Sequence, residues 1–156
     1  MNRTDLLLRM LDTTYAKESW YMPFKYAIEG LTAEQARWRP TGDSTKSVWE
    51  NVNHLIYYKE RLAANLEGRE LPQNFDGDET FYLTKQSNDD KEWIGVVERS
   101  EMVHRKLREA LSKTTTEALE QNSLEEKLLD IMLHDAYHTG QIIQIRKMQG
   151  SWPSHR

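Results

Sequence analysis

The chain has 156 residues, a formal net charge of −4 and 38% hydrophobic residues, with a mean hydropathy of −0.81. This length fits one domain, expected over 1–150 with a short tail at 151–156. No stretch approaches the ~18 apolar residues that span a bilayer, so no membrane association is expected. The mild acidity lacks the electrostatic footprint of a nucleic-acid binder. With no Cys there is no disulfide, no Cys-based zinc site and no Cys nucleophile. Arg9 and Asp12 interrupt the N-terminal apolar run too early for a signal-peptide core. The cytoplasm is the expected compartment.

The apolar residues are unevenly spread. Only seven of 59 fall in the stretches 40–47, 67–92 and 112–123. Four apolar-rich segments remain, and each reads as a helix. The first runs from about Thr4 to Glu29, ends at Gly30 and contains Pro23, which predicts a kink. Thr32-Ala33-Glu34-Gln35 has the form of a capping box and predicts a short helical turn. The second segment opens with the capping box Ser47-Val48-Trp49-Glu50. It repeats Val48, Val52, Leu55, Leu62 and Leu66 at helical spacing and stops at Gly68. The third opens near Asp89 or Asp90 and carries Trp93, Val97, Ser100, His104, Leu107 and Leu111 on one face. The fourth starts at a further capping-box pattern, Ser123-Leu124-Glu125-Glu126. It continues through Leu128, Ile131, His138, Ile142 and Ile145 to Gly150. Four amphipathic helices without period-two alternation predict an all-α four-helix bundle. The 67–92 connection is too long for a simple up-and-down bundle, which predicts a crossover able to cover a site.

The histidines carry the chemical signal. His134 and His138 stand at i, i+4, which places both imidazoles on one helix face with Cβ atoms about 5–6 Å apart, close enough to share a metal. His134-Asp135-Ala136-Tyr137-His138 has the spacing of a zinc-protease helix. Yet no Asp or Glu follows Asp135, and the downstream Gly-and-His extension is missing. The same absence excludes an HD-type phosphohydrolase. A third ligand must then come from upstream. His54 lies on the flank of the second helix's stripe. His104 lies directly on the stripe of the third, but about 5–10 Å away in depth, which favours a buried or supporting histidine. His155 falls in the tail, where disorder is expected.

The pattern Ser47-Val48-Trp49-Glu50, then Val52 and His54-Leu55, then His134-Asp135-Ala136-Tyr137-His138-Thr139-Gly140-Gln141-Ile142, resembles the DinB/YfiT-like superfamily. Gly30-Leu31-Thr32-Ala33-Glu34-Gln35 ahead of Trp38 and Pro40 adds to the resemblance, which covers nearly the whole chain. It implies an up-down-down-up bundle, often a homodimer. It also implies a divalent metal, zinc or nickel, held by one histidine of the second helix and two of the fourth; His54, His134 and His138 match those positions. Members of known activity include thiol S-transferases using bacillithiol or mycothiol and a related isomerase.

Three neutral imidazoles leave a metal its full charge and an open position, the ligand pattern of a catalytic site. Two chemistries follow: metal-assisted hydrolysis by water, or attack by a thiol cosubstrate on a small molecule. A non-catalytic metal-binding dimeric bundle is the alternative from another class. Asp135 is the candidate general base or orienting carboxylate. Asn51, Tyr58 and Gln141 are candidates to orient the imidazoles. Tyr15, Trp20 and Tyr21 are candidates to line the pocket from the first helix.

Overall fold

The computed structural model describes residues 1–154, so His155 lies outside the described residues. All regular structure among them is helical. Helix α1 (Arg3–Tyr15) is opened by a capping box between Asn2 and Asp5. It does not continue to Glu29 as a kinked helix. The Lys17 N–H bonds back to Asp12 O and closes it, and the chain restarts at Pro23, the N-cap of the one-turn α2 (Phe24–Ala27). Pro23 ends the preceding segment instead of bending it, because the residue before a proline is pushed out of helical geometry and proline suits the start of a helix.

Helix α3 (Ala33–Arg37) begins at the Thr32–Gln35 capping box. Helix α4 (Val48–Leu66) begins at the Ser47–Glu50 box and is followed by Gly68 at φ +65°. Glu50 is also held through both carboxylate oxygens by Arg39, at 2.6 Å each, which fixes the entry to α4. The connection 67–89 contains one 3-10 turn, Glu79–Tyr82. Helix α5 (Asp90–Ser112) is capped by Asp89, and α6 (Thr116–Glu120) leads into α7 (Leu124–Gln149). Helix α7 starts where expected but not by a capping box. Ser123 sits at φ +55° after Asn122 at φ +54° and makes no side-chain cap bond. An N-cap side chain reaches the helix only from extended backbone, and the tight reversal into α7 demands left-handed residues instead.

Pairings across the bundle give the helix directions. Trp49 packs on Trp93, and Lys59 reaches His104, so α4 and α5 run the same way. Their link must therefore travel the length of the bundle. Asn51 meets His138 and Lys59 meets Asp135, so α7 runs opposite to α4. Asp12 pairs with Arg108, and Thr4 bonds to Thr114 O, so α1 opposes α5.

The apolar core forms two clusters. One gathers Trp49, Val52, Trp93, Val103 and Ile142 with α2 and α3. The other gathers Leu7, Leu11, Leu62, Leu107, Leu111, Leu128 and Met132. Along α4, α5 and α7, the buried Lys59, His104, Asp135, His138 and Thr139 lie between the residues that build these clusters, and His54 and Ser100 lie at the near end of the first. The core is thus two apolar blocks with a polar layer between them.

Candidate metal centre

Helices α4 and α7 bring His54, His134 and His138 together, each offering one ring nitrogen, with these nitrogens all within 4.8 Å of one another. The flank position of His54 faces α7; His54 and His138 are buried and His134 is half-buried. His104 is not part of this cluster, and neither is Asp135.

The partners of two imidazoles define their tautomers. His54 Nδ1 lies 2.5 Å from Thr80 Oγ1, whose own hydroxyl donates to Gly77 O at 2.5 Å. Thr80 Oγ1 therefore accepts the His54 Nδ1 proton, and Nε2 keeps its lone pair. His138 Nδ1 donates to Asn51 Oδ1 at 2.8 Å, and the Asn51 amide is itself oriented by donating to Ser47 O at 2.8 Å. His138 Nε2 is likewise left with a lone pair. Such supporting bonds are the usual means of aiming metal-binding histidines.

His134 supplies the test of whether a cation fits. Its Nε2 lies 2.9 Å from His54 Nε2, while its Nδ1 is buried without a partner. Neither neutral tautomer satisfies both ring nitrogens. With the proton on Nδ1 that N–H is orphaned and two lone pairs face each other. With the proton on Nε2 the buried Nδ1 lone pair is orphaned. A cation shared by the Nε2 lone pairs removes the repulsion, so the donor set fits a divalent metal.

The electrostatics agree. Burial, then the cost of charging a ring next to His138 and His134, pushes the His54 imidazole down to about 3. Burial, then His134, pushes His138 down to about 4, against an opposing bond from Gln141. His134 is lowered by burial, with Asp135 opposing. All three are held neutral, the form that binds metal.

The long connection closes the centre. Phe81 stacks on His54 with ring centroids 4.0 Å apart. Asn53 donates to Phe81 O at 3.0 Å, and Thr84 donates to Asn53 Oδ1 at 2.6 Å, so this lid is tied to α4 itself. Tyr58 sets its ring edge-on to both His54 and His134.

Asp135 is 1% exposed and lies 2.9 Å from Lys59 Nζ through Oδ2. The two form an ion pair, and neither carboxylate oxygen has a hydrogen-bond partner. Lys59 also lies 3.4 Å from His104 Nδ1, and His104 stacks on Tyr15 with centroids 3.8 Å apart. Burial, Lys59 and Arg108 push His104 down to about 2, so it accepts from Lys59 as a neutral ring. Of the aromatic residues expected along the first helix, Tyr15 thus packs on His104, Tyr21 is partly exposed, and Trp20 is 100% exposed and lines nothing.

Thr80, Phe81 and Lys59 escaped the reading of the sequence. Thr80 and Phe81 lie in an aperiodic polar stretch that offers no signal. Lys59 did carry one: it stands four after Leu55 and three before Leu62, on the apolar stripe.

Residues 18–142 match the family model of the DinB superfamily. The chain belongs to the DinB superfamily. The match spans α2 to most of α7 and includes every residue of the triad. No curated protein and no solved structure gives a significant match to the chain. Membership in the DinB superfamily accords with a helical bundle carrying a three-histidine cluster compatible with a metal. No helix among the described residues is long and apolar enough to cross a membrane.

Proposed function

We propose that the triad holds one zinc or nickel ion and that the protein is a thiol S-transferase acting on small molecules with a bacillithiol-type cosubstrate. The observation that carries this reading is the convergence of three neutral imidazoles, two of them with Nε2 freed by bonds to Thr80 and Asn51. A divalent ion held there supplies a positive charge that makes a nearby thiol or water easier to deprotonate. The chain has no Cys, so the thiol must come from a cosubstrate. A cytoplasmic compartment, which keeps such thiols reduced, suits the reaction.

The chain's own residues shape the approach. A cavity of about 520 Å³ opens beside His138, with Lys46, Asn51, Gln141 and Gln144 in its walls. Lys46 is held at 2.6 Å from Tyr82 OH and over the Phe81 ring. Lys46 and Asp78 of opposite charge, among amide and hydroxyl groups, suit a polar thiol that bears both amino and carboxylate groups. In the transfer, the thiolate sulfur forms a bond to carbon, the leaving group departs with its electron pair, and the thiol proton passes to solvent. Asp135, locked to Lys59, is assigned to positioning α7 against α4.

A second copy of the chain is the proposed partner. Leu129, Leu133 and Tyr137 form an apolar stripe at i, i+4, i+8 on α7 and are 50%, 68% and 65% exposed. Light scattering on the intact protein is expected to give twice the chain mass.

The reading is tested on protein purified without a His tag, by metal analysis followed by a panel of electrophiles offered with bacillithiol, glutathione or water. About one equivalent of metal and thiol-dependent turnover are expected. Turnover with water alone makes the protein a hydrolase, and metal-independent turnover overturns both enzymatic readings.

A further inference from the structure

A second cavity, of about 510 Å³, reaches the triad from the other histidine. It lies between α4 and α7, with Tyr58, Leu62 and Ile131 as walls, Leu71 of the connection at its edge and His134 at its head. No residue is shared between this cavity and the polar one at His138. The two histidine rings that head them are only 4.5 Å apart between centroids. Two cavities therefore meet at one cluster of nitrogens from different sides.

Their chemistry differs. The cavity at His138 carries amides, hydroxyls, the Lys46 ammonium and the Asp78 carboxylate, whereas the walls at His134 are mainly aliphatic and aromatic, with Asn65 beside them. The one half-buried charge there is already engaged. Arg61 donates to Pro72 O at 2.8 Å and lies over the Tyr57 ring, so it fastens the Leu71-Pro72 segment instead of facing a ligand. Lys127 and Asp130 are exposed, carry opposite charges and leave the cavity with no net attraction for an ion. Leu71, 49% exposed, keeps apolar surface in water that a ligand would cover.

We infer that the cavity at His134 is a subsite for a neutral, apolar small molecule, the carbon electrophile of the transfer, held across the triad from the polar thiol. This rests on the metal-centre reading above. The volume lies within the ordinary range for small-molecule sites, and such sites are mostly apolar with the polar groups at the reacting end. Separate cavities keep the nucleophile and the apolar substrate from competing for the same walls, and both reacting ends reach the triad.

The test uses the full-length protein and 2-fluoronaphthalene as a neutral probe, with 1-naphthoate as its charged counterpart, whose affinity is read by displacement of the fluorinated probe. The protein is loaded with Zn²⁺ or with paramagnetic Co²⁺ and followed by ¹⁹F NMR. Saturable binding of the neutral probe is expected, with a line several-fold broader in the Co²⁺ protein because the probe sits next to the triad. Asn65→Trp, an exposed position on the cavity wall, is expected to weaken binding about ten-fold or more, as is Leu71→Glu. Gln144→Trp, in the polar cavity, is expected to leave it unchanged. The inference is overturned by no saturable binding, by equal line widths with the two metals, by tighter binding of 1-naphthoate, or by loss in Gln144→Trp with retention in Asn65→Trp. Failure of the metal-centre reading is seen separately, as metal content below about 0.2 equivalents before any probe is added. In that event, binding of the probe to the metal-free protein and its response to Asn65→Trp still decide whether the cavity is the subsite.

Discussion

The polar layer of the bundle holds two buried clusters with opposite solutions to the same problem. Both join α4 to α7, and the first adds His104 of α5. The cluster of Lys59, Asp135 and His104 contains its own cation: one ammonium faces a carboxylate at 2.9 Å and a neutral imidazole at 3.4 Å. The cluster of His54, His134 and His138 contains only ring nitrogens, two of them 2.9 Å apart. A buried charge is tolerated when paired, and buried lone pairs when something positive lies between them. The first cluster balances its charge with its own residues, while the second is complementary to an ion. A few residues of α7 therefore serve both as an internal anchor and as a ligand platform.

The comparison breaks most visibly at Lys59. Lys59→Ala leaves Asp135 as an uncompensated buried charge and is expected to destabilise by about 3–5 kcal/mol in urea unfolding. The paired change Lys59→Met with Asp135→Leu is expected to recover most of that loss. If Lys59→Ala costs nothing, the cluster is not the anchor described.

The triad is expected to show the opposite dependence, on what is added and not on what is encoded. At 100 times its Kd, free Zn²⁺ is expected to raise stability by about 2.7 kcal/mol, and His138→Ala is expected to abolish the gain. An equal gain in His138→Ala would place the ion elsewhere.

Smaller changes sharpen the account of how the triad is aimed. Thr80→Val removes the acceptor for the His54 Nδ1 proton without touching a ligand. Metal affinity is expected to fall about 10–100-fold, read by chelator competition, with helix content unchanged.

Per pH unit, the smallest effect is one of acid. His104 is neutral in the folded chain down to about 2, while the unfolded chain takes up a proton below its ordinary value of 6.5. The unfolded state thus binds more protons in this window. The contribution to stability is complete above 6.5 and is lost as pH falls towards 2, by up to about 1.4 kcal/mol per pH unit. His104→Phe, which keeps a ring on Tyr15, is expected to flatten the acid slope by at most one proton. An unchanged slope would mean that His104 is solvated or already charged.

Much of this was legible in the residues. The boxes at Thr32 and Ser47 opened helices where they were read, because a cap is a local bond between residues three apart. The pair His134 and His138 was legible for the same reason: helical spacing alone puts them on one face. Ser123 misled, since its capping pattern was overruled by a left-handed reversal that only the packing of α6 and α7 requires. The first segment misled because its apolar spacing continues past Tyr15 while its backbone does not. Lys59 was visible on its stripe and passed over, being a charge among leucines whose partner sits on another helix.

By itself the sequence determined the long helices, the faces they bury and the three histidines, because periodicity and capping act over a few residues. Only the tertiary structure decided that Thr80 and Phe81 close over His54, that Asp135 turns to Lys59, and that His104 stays out of the triad. Those contacts join residues 26 to 76 positions apart. No local rule reaches that far; the directions of α4, α5 and α7 bring the partners together.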